Sequence, residues 1–149
     1  MKTLYRLEHN LEQLKKFAKK LALKSIQGDI FLLKGELGVG KTTFARSFIN
    51  SLFDIHKIKK PENIKSPSFP ILINYPLLNY EINHYDLYRL ANKNELFEII
   101  VFEDFYKNIS IVEWPEIILK NYKLKNFYLI EFQYLNLEKR LIKVIHSNK

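Results

Sequence analysis

Apolar positions along this chain follow two periods, and the switches between them outline alternating strands and helices. Residues 3–7 (TLYRL) read as a short strand. Asn10 then precedes Leu11, Leu14, Phe17, Ala18 and Leu21, a spacing that predicts a helix. Asn10 with Gln13 three positions on suits a capping box at its start. Lys15, Lys16, Lys19 and Lys20 fall largely on the other faces, as on a solvated helix, and the turn formers at 25–28 end it. Residues 30–34 (IFLLK) form an apolar run between two glycines, which suits a strand buried on both faces of a parallel sheet. Phe44, Ala45, Phe48, Ile49 and Leu52 then return to helical spacing over 42–52.

The second half is read the same way. Residues 54–69 are polar and proline-marked, predicting a loop with a short strand near Ile64. Residues 70–75 and 80–85 are expected strands, joined by a tight connection that contains Pro76 and Asn79. Residues 95–105 are expected to be helical. Residues 109–113 (ISIVE) look like a buried strand ending in an acid, and Pro115 opens a short helix at its first turn. The β-rich segments 127–134 and 140–146 are expected to pair as a terminal hairpin. No repeat, low-complexity tract or linker interrupts the chain, so residues 1–149 are expected to form a single domain.

The glycines of residues 35–42 (GELGVGKT) lie between the apolar run and the second helix and match G-x-x-x-x-G-K-S/T. Phosphate oxygens must reach several backbone N–H groups at once, and glycine lets the chain fold back without a side chain in the way. The loop ends on a helix N-terminus, where free N–H groups and the dipole favour an anion. Lys41 is placed to reach the β- and γ-phosphates, and the Thr42 hydroxyl to ligate magnesium. The expected fold is therefore α/β: a P-loop NTPase-like mixed, largely parallel sheet flanked by helices, with a C-terminal β-hairpin. ATP is favoured over GTP, because the chain lacks the N/T-K-x-D motif that reads guanine. Such a site also needs an acid on the far side of the metal. Asp86 and Glu113 each end a strand-like segment, and spacing alone leaves both open.

Composition narrows the setting more than the chemistry. Aromatic residues reach 14% but are spread along the chain, which favours core filling over a base-stacking platform. The formal charge is +8 and the sequence pI about 9.5. Such a surface attracts polyanions without making nucleic acid the substrate. Only Arg6, Arg46, Arg89 and Arg140 of the 24 basic residues are arginine. The absence of cysteine excludes disulfides, thiolate catalysis and Cys-ligated zinc, and the four histidines lack metal-ligand spacing. No segment approaches the roughly 18 apolar residues of a membrane span, and the start of the sequence lacks a signal-peptide run. The expected location is cytoplasmic, with no membrane partner.

Beside GELGVGKTTF stand residues 66–69 (SPSF), 84–89 (HYDLYR), Glu95-Leu96 and 112–116 (VEWPE). In this order and at these intervals they resemble the TsaE (YjeE) family of small bacterial ATPases, over most of the chain. The resemblance implies an ATPase that supports the making of N6-threonylcarbamoyladenosine at position 37 of tRNA. Its implied partners are the TsaD and TsaB proteins, which transfer the group, with tRNA engaged indirectly. Its implied cofactors are ATP and Mg2+. Carried over by position, Glu36, Leu37, Gly38, Val39, Gly40, Lys41, Thr42, Thr43 and Trp114 would bind the nucleotide. Thr42, Asp86 and Glu113 would hold the metal, and Lys41, Asp86 and Glu113 would be the catalytic residues. Residues 66–69 would form a switch-like loop, with Ser68 where the family usually has Thr. His84 would orient Asp86 or a water, or simply pack. Arg89 would sense phosphate, contact a partner or pair with a carboxylate. The sequence departs from the family at Ile100, where a glycine is usual.

Two other functions share the phosphate loop. A small-molecule P-loop kinase would add a lid with several arginines, and no such cluster follows here. A non-hydrolysing, nucleotide-gated binding module would bind ATP without turnover.

Overall fold

In the computed structural model, which describes residues 1–147, the alternating segments close into one seven-stranded sheet flanked by helices. The elements are β1 (Lys2–His9), α1 (Leu11–Ala22), β2 (Ile30–Lys34), α2 (Lys41–Ile55), β3 (Leu72–Pro76), β4 (Glu81–Asp86), α3 (Lys93–Ile99), α4 (Asp104–Lys107), β5 (Ile109–Glu113), α5 (Glu116–Asn121), β6 (Phe127–Tyr134) and β7 (Arg140–Ser147). The sheet order is β1-β7-β6-β2-β5-β4-β3. The pairings β6–β2, β2–β5 and β5–β4 are parallel, and the outer pairings are antiparallel. The fold is thus mixed α/β, with a parallel core and the expected C-terminal antiparallel hairpin of β6 and β7.

β2 sits at the centre, and its side-chain alternation divides the core. Phe31 and Leu33 face a layer that holds Leu14, Phe17 and Ala18 of α1 and Phe44, Phe48 and Ile49 of α2. Ile30 and Leu32 face the opposite layer, with Leu96 of α3, Phe105 of α4 and Ile118 of α5. Burial on both faces explains why β2 reads as a continuous apolar run. α1 starts with the predicted capping box: the Asn10 side chain accepts from the Gln13 N–H, and the Gln13 side chain accepts from the Asn10 N–H.

Three expectations change. The helix expected over 95–105 is two helices, α3 and α4, separated at Ile100, which is extended at φ −100°, ψ 120°. In an unbroken helix Phe102 would lie about 240° round from Leu96. The break brings Leu96, Ile100, Phe102 and Phe105 into one core, where Phe102 stacks on Tyr122 at 3.6 Å. No strand forms near Ile64; that residue is buried in the loop, and its carbonyl accepts a 2.8 Å bond from Arg46 Nε. Pro76 closes β3 rather than lying in the connection, and β3 is an edge strand, where a residue without an N–H is tolerated.

Candidate functional site

The C-terminal ends of the parallel strands meet at one edge of the sheet, where open α/β sheets place their ligand crevices. The phosphate-loop motif leaves β2 there. β4 ends there in Asp86 and β5 in Glu113, and these two acids are register partners across the β4–β5 pair. The resulting cleft is lined by Leu37, Gly38, Gly40, Lys41, Thr42 and Thr43 from the loop and α2. Ser66, Ser68, Asp86, Glu113 and Trp114 complete the lining.

Gly40 is the N-cap of α2 with φ +122°, a backbone that L residues rarely adopt. A Cβ there would stand 2.9 Å from Leu14 Cδ2 of α1, so the first helix packs directly against the loop. No side chain caps α2, and no acid occupies its first turn. The N-terminal N–H groups of this 15-residue helix, and the positive end of its dipole, therefore face the cleft uncompensated.

Lys41 is buried, with its side chain folded along the loop. Nζ donates to the Gly35 carbonyl and, at 2.8 Å, to the Glu36 carbonyl. It also lies over the Trp114 ring, 4.0 Å from the centroid. Burial pushes the Lys41 pKa down from its ordinary value, against the opposing fields of Glu113, Glu116, Asp86 and Glu36. Asp86 is pushed up, first by burial, against a hydrogen bond from the Tyr88 N–H at 3.1 Å; the Glu113 charge adds to the rise. The site thus holds a cation and an anion that are each under-solvated.

A chain of hydrogen bonds crosses the floor. The Thr42 hydroxyl donates to Glu113 Oε2 at 2.9 Å. Glu113 Oε1 lies 2.9 Å from His84 Nε2, and His84 and Glu113 are almost wholly buried. His84 therefore engages Glu113, not Asp86.

The structure does not bring every expected residue to the cleft. Val39 packs in the core with no exposed surface, and neither it nor Glu36 lines the cleft; both contribute backbone carbonyls. Arg89 makes no ion pair among the described residues; its guanidinium lies 5.1 Å from the Phe69 ring centroid. No site role was expected for Arg140 or Tyr88. Arg140 at the start of β7 is buried, and its Nε donates to the Val39 carbonyl at 2.9 Å. Tyr88 packs against Trp114 at 4.7 Å, and Trp114 has a left-handed backbone, φ +57°. No cluster of three or more His, Asp or Glu suited to a metal occurs among the described residues, and no helix there is long and apolar enough to cross a membrane.

A family model described as threonylcarbamoyl adenosine biosynthesis protein TsaE matches residues 8–142. A protein of Rickettsia felis named tRNA threonylcarbamoyladenosine biosynthesis protein TsaE is 39% identical over 140 residues, covering 94% of this chain and 78% of its own. The protein of the same name from Rickettsia typhi is 36% identical and is covered over 91% of its length, with 92% of this chain. The crystal structure of Bacillus subtilis YdiB superposes with a TM-score of 0.71 at 24% identity, covering 100% of this chain and 89% of that one, a likeness of fold. With 39% identity along nearly its whole length and a family match from 8 to 142, the chain belongs to the TsaE family of tRNA threonylcarbamoyladenosine biosynthesis proteins.

Proposed function

We propose that this chain, as one P-loop unit, binds ATP with magnesium and hydrolyses it to sustain turnover of a TsaD–TsaB transferase acting on tRNA. The observation that carries this reading is the pairing of an uncapped helix N-terminus and a buried Lys41 with the Thr42–Glu113 bond and Asp86 in one cleft. Lys41 and the α2 N–H groups suit the β- and γ-phosphates. Thr42, Asp86 and Glu113 would hold magnesium. They are hard oxygen donors, and the upward shift of Asp86 marks a carboxylate whose charge a cation would relieve. Because the donor set falls short of an all-protein cage, it suits an ion that completes its shell with phosphate and water. When bound, magnesium supplies electrostatic stabilisation of the phosphoryl charge.

In hydrolysis, water attacks the γ-phosphorus, the bond from that phosphorus to the β–γ bridging oxygen breaks, and ADP and inorganic phosphate leave, while Lys41 stabilises charge on the phosphoryl oxygens. Glu113 holds the Thr42 proton, which leaves the hydroxyl lone pairs free to face the metal. No arginine lines the cleft: Arg46 and Arg140 are bonded to carbonyls, Arg89 lies over Phe69, and Arg6 is on the edge strand β1. Hydrolysis by the isolated chain is therefore expected to be slow, in keeping with a role completed by partners. The test is inorganic phosphate release from ATP and magnesium, with and without TsaB and TsaD of the same organism. Stimulation by the pair is expected. Phosphate appearing on an acceptor instead would make the chain a kinase, and ATP binding with no release in either condition would make it a gated binding module.

A further inference from the structure

His84 does not line the cleft, yet it is fully buried and bonded to Glu113, which does. It lies two residues before Asp86 on β4, and so on the same face of the sheet. Its neighbour across β3 is Ile73 and across β5 is Ile111, an apolar setting for an imidazole. Nε2 reaches Glu113 Oε1 at 2.9 Å, while Nδ1 is buried with no hydrogen-bond partner among the described residues. Buried ring nitrogens are mostly hydrogen-bonded, and the one that is partnered here faces Glu113.

The bonding fixes the direction of the chain. An ionised Glu113 only accepts hydrogen bonds, so Nε2 carries the proton toward Oε1, and the Thr42 hydroxyl gives its proton to Oε2. Without His84, Glu113 keeps one of these two anchors, and its carboxylate is free to rotate away from the geometry that aims Thr42 into the cleft. We propose that His84 is a positioning residue for the cation half of the site: it locks the Glu113 carboxylate, and through it the Thr42 hydroxyl, in the orientation that receives a magnesium-bound nucleotide. This rests on the reading of the cleft as a magnesium–ATP site. Outer partners of this kind typically set metal affinity by roughly 10- to 100-fold.

The test compares ATP binding with and without magnesium, by titration calorimetry, in the wild-type protein and three variants. His84→Phe removes the donor while filling the space. His84→Gln carries an amide N–H at about the reach of Nε2. His84→Asn carries the same amide one carbon shorter. In the wild-type protein magnesium should strengthen ATP binding. His84→Phe should lose roughly 10- to 100-fold of that gain while magnesium-free binding stays unchanged. His84→Gln should keep most of the gain, and His84→Asn should not. If His84→Phe fails to fold, the Gln–Asn contrast decides, since both keep a buried amide and differ only in reach. Melting temperature without nucleotide is recorded for each variant. A wild-type magnesium gain in His84→Phe, equal weakening with and without the metal, or indistinguishable Gln and Asn variants would each overturn the proposal. A wild-type protein that binds no ATP would instead overturn the reading beneath it.

Discussion

Arg140 offers a test of how the hairpin holds the phosphate loop. Its Nε donates to the Val39 carbonyl at 2.9 Å, its Nη1 donates to the Glu138 carbonyl at 2.9 Å, and its guanidinium lies 5.4 Å from the Tyr134 ring centroid. Arg140→Met keeps the apolar stem and removes all three contacts. A hydrogen bond from a charged donor contributes about 1.5–3 kcal/mol. The cation–π contact adds about 0.5–1 kcal/mol. The Glu138 bond is local and leaves its carbonyl free to meet water. The expected loss is therefore about 2–4 kcal/mol, which for a chain of this length lowers the melting temperature by roughly 5–15 °C. The Val39 bond also restrains the loop, so ATP affinity should fall by up to about tenfold for each 1.4 kcal/mol of restraint lost. Thermal melts and ATP titration measure the two effects, with the exposed neighbour Lys139→Met as a charge-matched control. A melting temperature within about 2 °C of wild type, with ATP affinity intact, would refute the argument that β7 braces the loop.

The Asp86 shift gives a sign that can be checked. Its folded-state pKa lies above its ordinary value of 3.8, so between the two the folded protein binds more protons than the unfolded chain. Its contribution to stability therefore falls as pH rises through that window. Asp86→Asn should flatten this fall above the ordinary carboxylate value and raise the nucleotide-free melting temperature at neutral pH, while weakening magnesium-dependent ATP binding; a lower melting temperature at neutral pH would contradict it. Trp114, the single tryptophan, reports on Lys41. Lys41→Ala should change its emission even without nucleotide and should abolish tight ATP binding; an unchanged spectrum would show that the cation does not sit on the ring in solution.

What the sequence made legible was whatever is encoded locally. The run IFLLK announces a strand buried on both faces, Asn10 and Gln13 announce a cap, and the glycine loop needs only its own spacing to be recognised. Asp86 and Glu113 were readable as strand-end acids, although their adjacency depends on the β4–β5 register. The contacts that orient these groups were not legible. Arg140 meets Val39 across 101 positions, and His84 meets Glu113 across 29, each through one side chain in an otherwise ordinary strand. The break between α3 and α4 was missed for a different reason. Leu96 and Ile100 fit a helical period, and only the need to bury Phe102 on the same side ends it.

Ile100 shows how such tertiary demands bear on a position where the family resemblance leads one to expect glycine. A glycine is useful at the end of a helix chiefly when the backbone must turn left-handed. Here Ile100 has φ −100° and ψ 120°, a conformation open to any L residue and favoured by β-branched ones. Its N–H still closes the helix by donating to the Leu96 carbonyl at 2.9 Å. The side chain is 4% exposed and packs in the layer with Leu96, Phe102 and Phe105. Isoleucine thus adds buried apolar surface at the turn between α3 and α4 and needs no left-handed backbone there. Its side chain points into the core on the α3–α5 face, whereas the residues that line the cleft come from the phosphate loop, the 66–68 segment and the strand ends. Ile100 therefore acts on how this helical layer is pinned to the sheet, away from the residues that line the cleft.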